Sequence, residues 1–561
     1  MRRSQTAATI ARLKKFSLSF FVRSRYPAAI FTGLLLAASF PKIGIAGFAW
    51  VAPALLLASA LGKSGRESFR VGYVGGLAYY LASLYWLLLI PATGFPILGW
   101  LALGAFLALY PATWVWLVLK VSRVECRVSS EGALKNTWLA AAEQISAWSW
   151  SRRTFWTISC GAIWVALEMI LTRLFSGFPW ILLGDSQYQM VPLIQIASVT
   201  GVYGISFLLV WTSVSLLCAV CLILCRAGLR SIWMAEIILP FAAVAAVFAF
   251  GFHRLSQSPI PARTLKVAFV QPSIPQTLIW DETAGMERFG QLIRLSEQAL
   301  TNHPDVLIWP EAAVPGVPRY QDETAGPISE LARDHKIWLI IGADDAEATP
   351  NATNFFNSSF LISPEGKLAN SYRKRSLVIF GEYIPLVRWL PFIKWFTPIT
   401  GSYTPGDRAV QFDLGDLRAK TSVLICFEDI FPQLARGSVE DDTDFLVNLT
   451  NDGWFGEGAA QWQHAAAALF RAVENGLPLI RCTNTGLTCW IDANGRLRNI
   501  FTDENGSVYG AGFMTAEIPL LAAGEKRPPT FYHQHGDWFG WACTAFAAIL
   551  IAGMIPARTR D

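Results

Sequence analysis

Between Arg70 and Lys120 the chain carries no charged residue at all, and this stretch limits what it can fold into more than any other feature. A helix needs roughly 20 apolar residues to cross a bilayer, because lipid offers no partner for exposed backbone groups. With Pro91, Gly94 and Pro96 near its middle, the stretch predicts two membrane-spanning helices and a break. Between Arg25 and Lys63 the only charge is Lys42, beside Pro41, which predicts two more spans joined by a turn. Further spans are expected at 154–172, within 186–225, at 231–253 and at 538–557, making eight. An apolar content of 53% against 16% charged residues agrees with a membrane protein.

Lysine and arginine counts in the short loops give an orientation, because cytoplasmic loops hold the excess. Arg2, Arg3, Arg12, Lys14, Lys15, Arg23 and Arg25 precede the first span, whereas the opposite loops offer only Lys42 and Arg173. Both termini are therefore expected in the cytoplasm. The expected organisation is a basic tail at 1–25, seven membrane helices over 26–253, an outer domain at 254–536, and an eighth helix with a cytoplasmic end at 537–561. No cleavage site follows the first apolar run, so it is expected to stay as an anchor. The net charge of +5 sits mostly in those short loops, and no nucleic-acid motif accompanies it.

The nine cysteines form no legible disulfide framework. Cys218, Cys221 and Cys225 have helical spacing, but without His or acidic partners they read as packed thiols. No metal site and no cofactor is expected.

Across 254–536 the pattern changes to short β runs alternating with amphipathic helices, as in a layered α/β domain. Strands are predicted at 265–270, 306–309, 337–341, 358–362, 422–425, 445–449 and 479–483, with helices at 286–300 and 465–473. Three of these segments lead to reactive residues. VLIWPE ends in Glu311, YRK brings Lys374 just ahead of FGEYIP with Glu382, and SVLICFE carries Cys426, Phe427 and Glu428. Singly, each has an ordinary explanation as a solvated acid, a surface lysine or an inert core thiol.

Together with the words around them, WPEAAVP, YRKRSLVIFGEYIPL and LICFED, these residues resemble the nitrilase, or carbon-nitrogen hydrolase, superfamily. The narrower resemblance is to the bacterial apolipoprotein N-acyltransferases. Further matching stretches are Val270–Gln276 leading to Trp280, NDGWFG at 451–456, Gln463-His464, Arg471–Glu474, RCTNTG at 481–486, GFPW at 177–180 and GVYGIS at 201–206. The chain departs from the family pattern at Phe427, Ser376, Ile379 and Asp185. The resemblance implies an αββα sandwich attached to eight spans, with Glu311 as general base, Lys374 stabilising the tetrahedral intermediate and Cys426 as nucleophile. Glu382, Phe427 and Glu428 would support them, and Trp280, Trp389 and Trp454 would contact substrate. It also implies a phospholipid acyl donor, a diacylglyceryl apolipoprotein acceptor, and a bacterial inner membrane with the catalytic domain periplasmic.

The residue chemistry agrees with those roles. A thiolate attacks an ester to leave a thioester, which an amine can finish as an amide. An acceptor α-amine with a pKa near ~8 needs a base such as Glu311. Lys374 is expected to lower the Cys426 thiol pKa and to hold the developing oxyanion. The segment 383–400 crowds Trp389, Leu390, Phe392, Trp395 and Phe396 between Arg388 and Lys394, which suits a loop dipping into the headgroup layer; core packing would explain the same composition. Two rival readings stand beside this one. A membrane-bound amidase would use water as acceptor, and a transporter or receptor would need charges inside several spans, where only Glu168 and Glu236 occur.

Overall fold

The computed structural model describes residues 25–91, 95–124, 137–226, 230–257, 261–279, 281, 283–350, 352–385, 389 and 402–554. The chain divides into two compact units. One comprises Met1–Tyr85, Gly99–Phe252 and Asp537–Asp561, and the other Trp86–Leu98 with His253–Gly536.

The first unit is helical, with α1 (Arg25–Ala38), α2 (Ala52–Ala60), α3 (Gly65–Ser83), α4 (Phe95–Leu107), α5 (Leu109–Ser122), α6 (Thr137–Ala147), α7 (Trp150–Leu171), α8 (Val202–Cys225), α9 (Arg230–Ser256), and a final helix Trp538–Ala552. Among the described residues, four helical stretches are long and apolar enough to cross a membrane: Pro96–Ser122, Trp150–Leu171, Val202–Cys225 and Ile232–Ser256. Arg25–Ala38 and Trp538–Ala552 are apolar but shorter. Helix α3 begins before the charge-free stretch, because Ser64 caps it by accepting the Glu67 N–H, and so it carries Arg66, Glu67 and Arg70 in its first turns. Helix α6 lies between the spans expected before Lys120 and at 154–172.

Glycine lets these helices touch backbone to backbone. A Cβ on Gly33 of α1 would lie 2.2 Å from the Gly75 carbonyl of α3, so only glycine permits this crossing. The two acids noted inside spans both have partners. Glu236 pairs with Arg153 at 2.9 Å, and Glu168 Oε1 accepts from Trp164 Nε1 and the Leu183 N–H, each at 2.9 Å. Glu236 therefore ties α9 to α7, and Glu168 ties α7 to the segment at Leu183.

The second unit is built on two six-stranded sheets. One runs β12-β1-β2-β3-β4-β5, from β1 (Arg263–Gln271), β2 (Val306–Ile308), β3 (Trp338–Ala348), β4 (Thr353–Ile362), β5 (Leu368–Arg373) and β12 (Gly512–Leu520). The other runs β11-β10-β9-β8-β7-β6, from β6 (Gln411–Asp413), β7 (Lys420–Ile425), β8 (Phe445–Thr450), β9 (Leu479–Thr483), β10 (Cys489–Ile491) and β11 (Leu497–Arg498). The central strands β1-β2-β3 and β7-β8-β9 are parallel in each sheet, and antiparallel strands flank them.

Side-chain alternation makes the layers. Val267 and Phe269 of β1, Ile340 of β3, Val423 and Ile425 of β7 and Val447 of β8 form one core between the sheets. The intervening residues Ala268, Val270, Leu339 and Ile341 face outward and pack with Phe289 and Leu292 of α10 (Gly285–Leu300) and Ile328 and Leu331 of α11 (Asp322–His335). Helix α12 (Ala460–Asn475), almost wholly buried, covers the second sheet. The order is therefore helix, sheet, sheet, helix.

Candidate active site

Three strand ends and one loop build the site. Glu311 follows β2 after Trp309-Pro310, Lys374 directly follows β5, and Cys426 directly follows β7. Cys426 has φ of 54°, a left-handed conformation that strains a non-glycine residue by about 1–2 kcal/mol and turns its thiol out of the strand. Ala312, next to Glu311, has φ of 51°, so both reactive residues sit at sharp corners. The Glu311 corner lies so close to β3 that a Cβ on Gly342 would meet the Pro310 carbonyl at 2.2 Å.

Lys374 is only 1% exposed, and its Nζ donates to Glu311 Oε1 at 3.1 Å and to Glu382 Oε1 at 2.8 Å. Asn357 on β4 donates Nδ2 to the same two oxygens at 2.8 and 2.9 Å, fixing both carboxylates. Glu382 is further held by the Val378 N–H at 2.8 Å. The Phe427 ring lies 5.5 Å from the ammonium. Burial alone would drive off the Lys374 proton, but Glu311 and Glu382 outweigh it and hold the pKa well above that of an ordinary lysine.

Cys426 lies near enough to feel both charges. Burial and then the Glu311 carboxylate push its thiol well above the usual range, and the opposing pull of Lys374 does not compensate. Lys374 does lower the thiol, as expected from its charge, but burial and Glu311 outweigh it. The site thus holds a protonated thiol beside a carboxylate.

Glu428 has a concrete task. Its Oε1 accepts the N–H groups of Arg375 (2.7 Å) and Ser376 (3.0 Å), and its Oε2 accepts the Ile425 N–H (2.8 Å) and the Tyr372 hydroxyl (2.9 Å). One buried carboxylate therefore ties the residues flanking Lys374 to the residue preceding Cys426. Asn448 on β8 adds a bond from Nδ2 to the Cys426 carbonyl at 2.7 Å.

Of the expected substrate contacts, Trp280 lies outside the described residues, as do 386–388 and 390–401 of the aromatic loop. Trp389 is 82% exposed, and Trp454 is half-buried in the turn Asp452–Phe455. Sequence reasoning missed Asn357, and also Asp344, whose carboxyl accepts from the Tyr403 hydroxyl and is pushed by burial up to about 7. It also missed a buried charged group formed by Asp429, Asp452, His464 and Arg481. The available signal was polar residues inside otherwise apolar strands and helices, such as Asn448 in FLVNLT and Arg481 in LIRCT.

Facing sheets that present a glutamate, a lysine and a cysteine at strand ends define a carbon-nitrogen hydrolase domain, and the Carbon-nitrogen hydrolase family model matches residues 266–519. The model of the apolipoprotein N-acyltransferase N-terminal domain matches residues 32–215. The chain is 36% identical to the apolipoprotein N-acyltransferase of Geobacter metallireducens, across 96% of this chain and 97% of that one. It is 29% identical to the one from Vibrio vulnificus, across 94% and 97%. A Nesterenkonia amidase of the nitrilase superfamily is similar in part, at 16% identity and a TM-score of 0.35, covering 49% of this chain and 95% of that one. The chain belongs to the apolipoprotein N-acyltransferase family.

Proposed function

We propose that this chain moves a fatty acyl group from a membrane phospholipid to Cys426, and then to the α-amine of a diacylglyceryl-cysteine at the N-terminus of an apolipoprotein. The observation that carries the reading is a buried thiol beside the Glu311–Lys374–Glu382 cluster, in a chain whose relatives are named for N-acylation of apolipoproteins.

In the first half-reaction the Cys426 sulfur attacks the ester carbonyl while its proton passes to Glu311. The oxyanion is stabilised by the Lys374 ammonium, an effect worth several kcal/mol in a dry site. On collapse the lysophospholipid alkoxide leaves with the proton from Glu311. In the second, the amine loses a proton to Glu311 as it attacks the thioester, and the departing thiolate takes that proton back. Glu311 carries a proton in both directions and Lys374 keeps its own throughout, consistent with an ammonium clamped by two carboxylates. Glu382 and Glu428 hold the reacting groups in position. In this reading Trp280, Trp389 and Trp454 contact substrate, and the exposed indole of Trp389 suits the headgroup layer.

Among the described residues four long apolar helices support membrane insertion, and the shorter apolar helices with the lysine and arginine asymmetry support eight crossings. In this reading both termini are cytoplasmic, and the catalytic unit (254–536) is periplasmic at a bacterial inner membrane. Mass spectrometry of a lipoprotein N-terminus from cells with and without this chain tests the reaction. An N-acyl diacylglyceryl-cysteine that depends on the chain is expected, and an unchanged free amine contradicts it.

A further inference from the structure

Behind Cys426 the second unit buries four charges in a closed ring. His464 of α12 has Nε2 2.7 Å from Asp429 Oδ1 and Nδ1 2.9 Å from Asp452 Oδ1. Asp429 Oδ2 accepts from Arg481 Nη1, and Arg481 Nη2 lies 3.6 Å from Asp452 Oδ2. None of the four is more than 1% exposed at its side chain.

The geometry sets the protonation. Ionised carboxylates only accept hydrogen bonds, so an imidazole within bonding distance of one at each nitrogen must donate from both. His464 is therefore an imidazolium, and the ring alternates two cations with two anions to a net charge of zero. Asp429 sits on the same turn as Cys426, three residues on, and the charges of Asp452 and Arg481 are both felt at the thiol site. The turn Asp452–Phe455 follows β8, whose Asn448 holds the Cys426 carbonyl. The ring thus fastens the nucleophile's turn to the segment after β8, to α12 and to β9.

We propose that His464 is a positioning residue that must carry its second proton for Cys426 to be acylated. This rests on the assignment of Cys426 as nucleophile. If His464 loses that proton, the ring becomes net negative beside a sulfur that must itself gain negative charge during attack. The ring also loses one of the bonds that anchor Asp429.

The pH at which this happens follows from the surroundings. Burial opposes the imidazolium and so does Arg481, but Asp429 and Asp452 outweigh both and hold its pKa at about 9. The other ionisable groups near the ring are Cys426 and Cys489, whose thiols burial pushes up, Cys489 to about 12, and Arg471 further along α12, which pairs with Glu474 and donates to the Ile430 carbonyl. Lys374 is held above the ordinary lysine value. His464 is thus the group of this set that titrates near 9.

The test uses the full chain in phospholipid vesicles and measures the single-turnover rate of acyl transfer from a labelled phospholipid to Cys426 between pH 6.5 and 10. For the unsubstituted chain we expect a level rate that falls about tenfold per unit above 9. Unfolding followed by tryptophan fluorescence over the same range separates this fall from loss of structure. His464→Gln, which cannot donate at both ends, is expected to load at least ~10-fold more slowly at pH 7.5. Its profile should be flat through 9 and its KM for donor unchanged. A rate in the unsubstituted chain that stays level to pH 10 overturns the inference, as does a His464→Gln profile that keeps its fall near 9. If His464→Gln does not fold, the unsubstituted profile alone decides. Absence of any acyl-Cys426 at pH 7.5 defeats the assignment of the nucleophile instead.

Discussion

At Lys374 a side chain that ordinarily stays in water is enclosed by protein, and carboxylates at 3.1 and 2.8 Å are what make that tolerable. Removing one partner of such a group leaves the rest uncompensated. Lys374→Met should therefore destabilise the second unit by about 3–5 kcal/mol, read from denaturant unfolding, and should abolish loading of Cys426. A stable, active variant would show that the two glutamates do not depend on this charge. The pH dependence has a definite sign. Because the folded pKa of Lys374 is raised, its stabilising contribution is full below the unfolded value near ~10.5 and is lost only as pH rises through the higher folded value. Lys374 thus contributes nothing to a loss of activity near pH 9.

At the scale of elements, the site depends on corners that meet closely. Gly342→Ala would push a methyl group against the Pro310 carbonyl, so β3 or the Glu311 corner must shift. A cost of about 1–3 kcal/mol is expected, with slower loading because the base moves; an unchanged melting temperature and rate would contradict the close approach. Glu428→Gln should slow loading by ~10-fold or more, since an amide cannot accept at both ends from the four donors now bound. Much of this architecture was legible beforehand. The strands predicted at 265–270, 445–449 and 479–483 correspond to β1, β8 and β9, because buried central strands are written as apolar runs. Of the flanking strands, β4 was anticipated at 358–362, but β5 and β12 were not legible. β5 reads LANSYR and is largely exposed, and β12 contains Pro519 and pairs with β1 across more than 200 residues of intervening sequence, so local pattern could not reveal either. Glu311, Lys374 and Cys426 stood out through the words around them, whereas Asn357 and the His464 ring acquire meaning only when distant segments meet. The lowering pull of Lys374 on the thiol was legible, whereas the burial and the Glu311 charge that outweigh it appear only in the fold.

At the scale of the whole chain, the helical unit has, among the described residues, four helical stretches long and apolar enough to cross a membrane, and the second unit has two six-stranded sheets. The proposed orientation is checked by single cysteines in intact cells, read against the unsubstituted chain. Arg66→Cys, at the exposed start of α3, should react only with permeant reagents, and Glu504→Cys, exposed in the second unit, with impermeant ones. The opposite pattern would invert the topology. The central claim is that the acyl group rests on Cys426 between donor and acceptor. The most direct measurement incubates the chain in vesicles with labelled phospholipid and no acceptor, then locates the label by peptide mass spectrometry. The account predicts a hydroxylamine-labile label on Cys426 that is absent from Cys426→Ala and persists in Cys482→Ala and Cys489→Ala. It should form ~10²- to 10⁴-fold more slowly in Glu311→Gln and discharge as an amide onto an N-terminal diacylglyceryl-cysteine peptide. A label that remains in Cys426→Ala, or one released only as free fatty acid when the peptide is present, would contradict it.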